Sequence, residues 1–347
     1  MTDTGADSRF GFIKRRGFIQ VAAATAAAAL LPRCSAERRA LGFRPKAARI
    51  TPFVTANRDF YLVAVDPQYR PPVSPANVDA GWHLELTGVN GQSRRMAFAD
   101  LVRHANREIF YTFECIGNPV GGELIGNARW RVMPLAQLLR DMPGGVSGAH
   151  SVRFEGLDDY YSSVSLQRAL DDYAFIAVRM NGDPLPPAHG FPARVILPDL
   201  YGMKQPRWLR RITLLRRSGS NSYWERRGWA GEVPVKTMSR LDPRAPLKAG
   251  SAAQLTGIAF AGQRGISRVE VSLDGGRNWL QCQLTRGGEP GAWALWKYAW
   301  NAPVAGRHRL LVRATDGNGR RQSARRQGSF PDGASGYDSE TFRVVTG

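Results

Sequence analysis

The sequence predicts an α+β protein: a mixed, strand-rich domain followed by an immunoglobulin-like β-sandwich. Three observations carry this. Short apolar runs with a period of two recur along the chain, divided by glycine and proline, while few windows hold a helical period. From about Ser239 the texture changes. Asp242-Pro243-Arg244-Ala245-Pro246 makes a boundary, and the strands beyond it are parted by Asp274-Gly275-Gly276 and Asp316-Gly317-Asn318-Gly319. Finally, 347 residues suffice for two domains of ordinary size, each with its own core.

Taken in order, residues 1–36 read as an export signal. Lys14-Arg15-Arg16-Gly17-Phe18-Ile19-Gln20 fits the twin-arginine pattern. The alanine-rich run at 21–31 is too short and too weakly apolar to cross a bilayer. The expectation is a periplasmic protein cleaved near Ala36. Arg33 precedes Cys34 where a small residue would be needed, which argues against lipid anchoring at Cys34. The first domain is set at 45–238. Its start, 45–75, is proline-rich and irregular; 82–89 alternates as a strand and 98–104 reads as a helix. The apolar run 109–113 is a buried strand, 131–140 a helix, and 152–155, 174–180 and 195–197 strands. The second domain, 239–347, has strands at 255–260, 266–273, 293–300 and 309–314. Ile266, Val269, Val271 and Leu273 alternate into the Asp-Gly-Gly turn, a hairpin signal. Trp279, Trp293, Trp296 and Trp300 read as core and interface aromatics.

Formal net charge is +19. Residues 1–36 hold five Lys/Arg and two Asp/Glu, so removal of the signal leaves +16. The basic residues are dispersed pairs without a nucleic-acid motif, and an exported chain meets no nucleic acid. An anionic cofactor, an anionic substrate, an acidic redox partner or a membrane surface suits the charge better. Of three cysteines, Cys34 leaves with the signal, and Cys115 and Cys282 fall in different domains, so no disulfide is expected. Five histidines with no CxxCH and no CxxC exclude covalent haem and a cysteine-rich metal site. Electrons would therefore have to pass to or from another protein.

The chemistry centres on residues 113–130, FECIGNPVGGELIGNARW. Cys115 ends the apolar strand and enters a glycine-rich loop, so its sulfur can face something bulky close to the backbone. By residue type alone, an inert core cysteine is the commoner reading. Residues 150–214 add HSVRFEGLDDYYSSVSLQRAL and MNGDPLPPAHGFPARVILPDLYGMKQPRWLRRITL, and SYWERRGW follows. With ECIGN, these segments resemble the sulfite oxidase family of molybdopterin enzymes from about residue 53 to the C-terminus.

The resemblance implies a sulfite-oxidase-type catalytic domain with a C-terminal dimerisation domain, hence a homodimer, and a molybdenum–molybdopterin cofactor. Cys115 would ligate the metal; soft thiolate sulfur suits a metal that changes oxidation state. His189, Arg194, Gln205, Pro206 and Arg207 would hold the cofactor, with Lys204 beside them. Asn57, Phe60 and Tyr61 of NRDFY match the N-terminal pterin contacts, and Asp158 the position after FEGL. Tyr160 takes the place of the active-site tyrosine, with Tyr161 its neighbour.

Two departures bear on substrate. Sulfite-oxidising members carry an anion-binding arginine where Val63 stands, and Arg-Arg where this chain has Pro119-Val120. Arg129 is a candidate replacement. The expected activity is oxygen-atom transfer on a small oxyanion or an S- or N-oxide, with electrons exchanged with a separate haem protein. The alternatives are a sulfite dehydrogenase proper, or a secreted binding protein that works through its sandwich.

Overall fold

The computed structural model describes residues 50–219, 221–243, 247–300 and 304–346. The expected signal with Cys34, and residues 244–246 of the expected boundary, lie outside the described residues.

Up to residue 215, four short helices interrupt ten strands among the described residues. The helices are α1 (Val78–Gly81), α2 (Phe98–His104), α3 (Leu135–Arg140) and α4 (Leu166–Ala169). The strands are β1 (His83–Thr87), β2 (Ser93–Ala97), β3 (Arg107–Glu114), β4 (Ile125–Pro134) and β5 (Ser151–Gly156). They continue with β6 (Tyr161–Ser165), β7 (Phe175–Met180), β8 (Asp183–Pro184), β9 (Arg194–Ile196) and β10 (Leu209–Leu215). One sheet runs β2-β1-β10-β5-β6, with β1 and β10 parallel. The other runs β3-β4-β7-β8, with β9 also paired to β7. Both feed one core: Leu84, Leu86, Val152, Phe154 and Ile212 from the first sheet, and Trp130, Val132, Ile176 and Val178 from the second.

The run 131–140, expected as one helix, divides at Pro134. Trp130 and Val132 are buried while Arg129 is exposed and Arg131 half-buried, so this run completes β4 between β3 and β7. Only Leu135–Arg140 is helical, and it buries Leu135, Leu138 and Leu139. Pro134 sits at the helix N-cap, where its missing N–H is no loss.

From β11 (Met238–Leu241) onward the chain is a sandwich. Its further strands are β12 (Leu247–Lys248), β13 (Ala253–Phe260), β14 (Ile266–Ser272), β15 (Leu280–Gln281) and β16 (Gln283–Gly287). The last three are β17 (Ala294–Trp300), β18 (Gly306–Asp316) and β19 (Asp338–Val345). They form sheets β11-β13-β17-β16 and β12-β19-β18-β14-β15. Leu255, Val269, Val271, Trp296, Val312 and Ala314 fill the space between. The expected hairpin joins β14 to β15, and its turn is closed by the Asp274 carboxylate, which accepts from the Arg277 and Asn278 N–H groups. Trp293, Trp296 and Trp300 are buried, whereas Trp279 lies half-buried under Arg313, 3.9 Å away.

A third apolar cluster seats the sandwich on the two preceding sheets, and the described residues cohere as one unit. It joins Phe53, Ile116, Ile125, Tyr201 and Met203 to Val235, Ile258, Phe260 and Trp293. The Thr112 N–H donates to Gly291 O at 2.8 Å, and Thr112 Oγ1 accepts from Trp293 N–H at 2.9 Å. The sandwich thus grips β3, the strand that delivers Cys115.

Candidate active site

Cys115 leaves β3 in a tight turn. Its N–H donates to Leu124 O and its carbonyl accepts from Asn118 N–H, both at 2.9 Å. Asn118 fixes the loop further, donating to Glu114 Oε1 and accepting from the Leu124 N–H. Burial pushes the Cys115 thiol up to about 11, with the Glu114 carboxyl adding to the shift and the Gly117 N–H opposing it. On its own the sulfur is a thiol; a cation beside it would reverse that balance. Among the described residues no cluster of three or more His, Cys, Asp or Glu exists. A metal at Cys115 would therefore need ligands beyond such a group of side chains, as a cofactor can bring.

The HGFPAR segment supplies the cations. Arg194 is 6% exposed, and its guanidinium lies 4.0 Å over the Phe113 ring and 5.3 Å over Trp130. Nη1 donates to His189 O at 3.2 Å, while Nε is buried without a partner. Burial, with the second cation Arg207 acting in the same sense, lowers Arg194 to about 9. Arg207 donates to Ala188 O (2.8 Å) and Val63 O (3.1 Å). Among the described residues neither arginine has a carboxylate within ion-pair distance. Two cations side by side, neither in an ion pair and one of them sealed from water, are arranged for an anion. Gly190 makes the pair possible: with φ +113°, a Cβ there would lie 3.1 Å from the Cβ atoms of both arginines.

His189 is buried and its Nε2 lies 2.8 Å from Asn57 O. Burial pushes it down to about 4, with Arg194 and Arg207 acting in the same sense against the Asn57 hydrogen bond. The ring is thus neutral, with Nε2–H donating to Asn57 and Nδ1 left as an acceptor. The Asn57 amide oxygen accepts from Asn181, tying the N-terminal segment to the loop after β7. Phe60 is a core residue, packed edge-on against Phe113, Trp130 and His189. Tyr61 stands beside it with its phenol raised well above the ordinary range by burial first, then by Cys115.

Tyr160 and Tyr161 separate cleanly. The Tyr160 hydroxyl donates to Met203 O, and burial, Glu225, Asp158 and Cys115 all raise its pKa. Tyr161 faces away, donating to Asn221 O and accepting from Arg226. Tyr160 is the one that senses Cys115. Asp158 accepts from the Tyr160 N–H, and its carboxyl is raised by burial despite Arg207 nearby.

Gln205 is used up by the protein itself. Its side chain accepts from Leu197 N–H and donates to Leu200 O, so it shapes the loop and leaves no group for a ligand. Pro206 is buried and accepts from Val195 N–H. Lys204, 1% exposed, pairs with Glu225 at 2.9 Å. Arg129 is exposed and lies 3.4 Å from Glu108, so its charge is taken by that carboxylate and does not replace the missing arginine. Glu114 was passed over in the sequence, although a carboxyl next to the cysteine was its signal. It is buried, Oε2 has no partner, and burial raises it to about 7.

Comparison with known proteins decides the family. The model of the oxidoreductase molybdopterin binding domain matches residues 71–224, and that of the Mo-co oxidoreductase dimerisation domain matches 234–326. Chicken sulfite oxidase (Gallus gallus) is 30% identical over 291 residues, 70% of this chain and 63% of that protein. Human mitochondrial sulfite oxidase (Homo sapiens) is 32% identical over 283 residues, 67% of this chain and 51% of that protein. The chain belongs to the sulfite oxidase family of molybdopterin oxidoreductases. It spans 51–63% of the length of these two relatives. The structure of the sulfane dehydrogenase SoxCD from Paracoccus pantotrophus superposes with a TM-score of 0.67 at 21% identity, over 78% of this chain and 79% of that one. That likeness speaks to fold alone. The family's anionic pterin fits what is present: a lone thiol, an orphaned buried guanidinium and a second arginine.

Proposed function

We propose that the protein is an exported oxidoreductase that transfers an oxygen atom at a molybdenum bound through Cys115, and that neutral S- or N-oxides serve it at least as well as sulfite. The observation that carries the cofactor assignment is Arg194. A buried guanidinium without a counter-charge costs several kcal/mol. The anionic end of molybdopterin, held by Arg194 and Arg207, offsets that cost, while the neutral His189, left as an acceptor, suits an N–H of the pterin. When bound, the metal supplies two-electron oxygen-atom exchange.

The chain's own residues point to the substrate. The Tyr61 and Tyr160 phenols and the Glu114 carboxyl lie close enough to the Cys115 sulfur to act on it electrostatically. Both phenols remain protonated, so they donate hydrogen bonds and add no positive charge. Val63 is exposed at the position of the missing arginine, and its carbonyl takes Arg207. A sulfite dianion stripped of water needs charge-assisted partners, each contributing about 1.5–3 kcal/mol. A neutral oxide needs only donors: a sulfoxide, two protons and two electrons give the corresponding sulfide and water. A separate haem protein would supply those electrons singly.

Sulfite oxidation is the second reading, favoured by Arg227, which is exposed and, among the described residues, lacks a carboxylate partner. Steady-state assays with sulfite and an electron-accepting dye, beside sulfoxides with a reduced dye, separate the two. We expect oxide turnover with kcat/KM at least that for sulfite. Efficient sulfite turnover with a micromolar KM would overturn this. Export is tested by fractionation, where the mature chain should be periplasmic.

A further inference from the structure

Six large apolar side chains stand exposed among the described residues, and three lie on segments bordering Cys115. Leu62 and Val63 follow Tyr61, while Phe330, 56% exposed, projects from the sandwich. Scattered surface apolar residues need no explanation. Phe330 differs because its backbone is held in place.

It sits in the long connection 317–337 between β18 and β19, and long irregular segments in compact folds are usually functional. Lys236 Nζ donates to Gly333 O at 2.7 Å and lies 3.0 Å from the Asp332 carboxylate. Ala230 N–H donates to Pro331 O at 3.0 Å, and Gln322 Nε2 to Gly336 O at 2.9 Å. The ring so held packs edge-on against Trp229, with centroids 5.3 Å apart at 80°.

Trp229 carries the contact inward. A Cβ on Gly117 would lie 3.7 Å from Cys115 Sγ and 4.0 Å from Trp229 Cη2. Gly117 therefore leaves open a narrow space with the sulfur on one side and the indole on the other. Cys115 and Trp229 are both half-buried residues. The two rings make a wall from the sulfur to solvent, with Phe330 contributed by the sandwich.

We propose that Trp229 and Phe330 are specificity-determining residues that line the substrate entrance and select organic oxides bearing an aromatic or bulky apolar substituent. This rests on the reading of Cys115 as the metal ligand. The wall offers apolar area and edge-to-face contacts, which a small anion or dimethyl sulfoxide cannot exploit. The nearby cation Arg227 is turned onto the Tyr223 ring at 3.5 Å and its carbonyl at 2.9 Å.

The test uses loaded enzyme, wild type and Phe330→Ala, with methyl phenyl sulfoxide and dimethyl sulfoxide under a reduced dye. Phe330 is exposed, so its truncation leaves the core intact. KM for methyl phenyl sulfoxide should rise about three- to tenfold with kcat within about twofold, while dimethyl sulfoxide kinetics stay unchanged. Equal changes for both substrates, or none for the aromatic one, overturn the proposal. Binding is followed separately in protein labelled with 5-fluorotryptophan, the Trp229 resonance being assigned by its loss in Trp229→Phe. Methyl phenyl sulfide should shift that resonance saturably, and more weakly in Phe330→Ala; a resonance that does not move overturns the proposal. A moving resonance with no oxide turnover supports the entrance and removes only the oxide-reduction reading.

Discussion

Glu114 and His189 respond to pH in opposite senses. Burial raises Glu114 to about 7, above its unfolded value of 4.5, so its contribution is full below 4.5 and lost as pH rises through 7. Burial lowers His189 to about 4, below its unfolded 6.5, so its contribution is full above 6.5 and lost as pH falls through 4. Glu114→Gln keeps an acceptor for the Asn118 amide and removes the buried charge. In cofactor-free protein we expect its Tm at pH 8 to rise by about 3–8 °C, with little change at pH 5. Calorimetry at both values checks this, and an equal gain at both would show that ionisation is not the cause. Arg194→Met removes the buried cation, and we expect pterin retention to weaken by about ten- to a hundredfold. Fluorescence of pterin released from purified protein measures it.

Arg264 on the sandwich holds the stretch from Asp199 to Arg207. Its guanidinium reaches Asp316 and Asp199, both at 3.0 Å, and donates to Val235 O at 2.7 Å. Asp199, with φ +60°, starts the segment that leads to Lys204 and Arg207. Arg264→Ala should speed amide exchange across residues 200–207 and lower molybdenum content, with partial recovery in Arg264→Lys. Unchanged exchange there would remove the brace. Such long-range ties were not legible in the sequence, whereas strands with clean alternation, such as β1 and β14, were. The run 131–134 was missed because four residues of alternation are too few to outweigh a helical window beyond them. Motif spacing located the Gln205 position but not its side-chain direction, and a backbone N–H and a backbone carbonyl that no pattern encodes claimed that side chain. Spacing singled out Tyr160 over Tyr161 but did not tell where either hydroxyl points, which their hydrogen bonds to Met203 O and Asn221 O show.

The apolar seam makes the molecule more than two lobes in series. Phe53, Ile116, Tyr201 and Met203 are covered by Ile258, Phe260 and Trp293, so a chain ending at residue 238 would bare a large apolar face. We expect that truncation to aggregate or lose cofactor; a stable, loaded fragment would show the seam to be dispensable. The dimerisation domain matched at 234–326 leads us to expect twice the chain mass by light scattering, and a monomer across micromolar concentrations would contradict it. The oxygen-atom transfer proposed for the site depends on one bond, between Cys115 and molybdenum. Elemental and pterin analysis of matured wild type should find about one molybdenum and one pterin per chain. In Cys115→Ser the pterin should persist on Arg194 and Arg207, while oxygen-atom transfer falls by orders of magnitude. Wild type without molybdenum, or a serine variant of equal activity, would contradict the assignment.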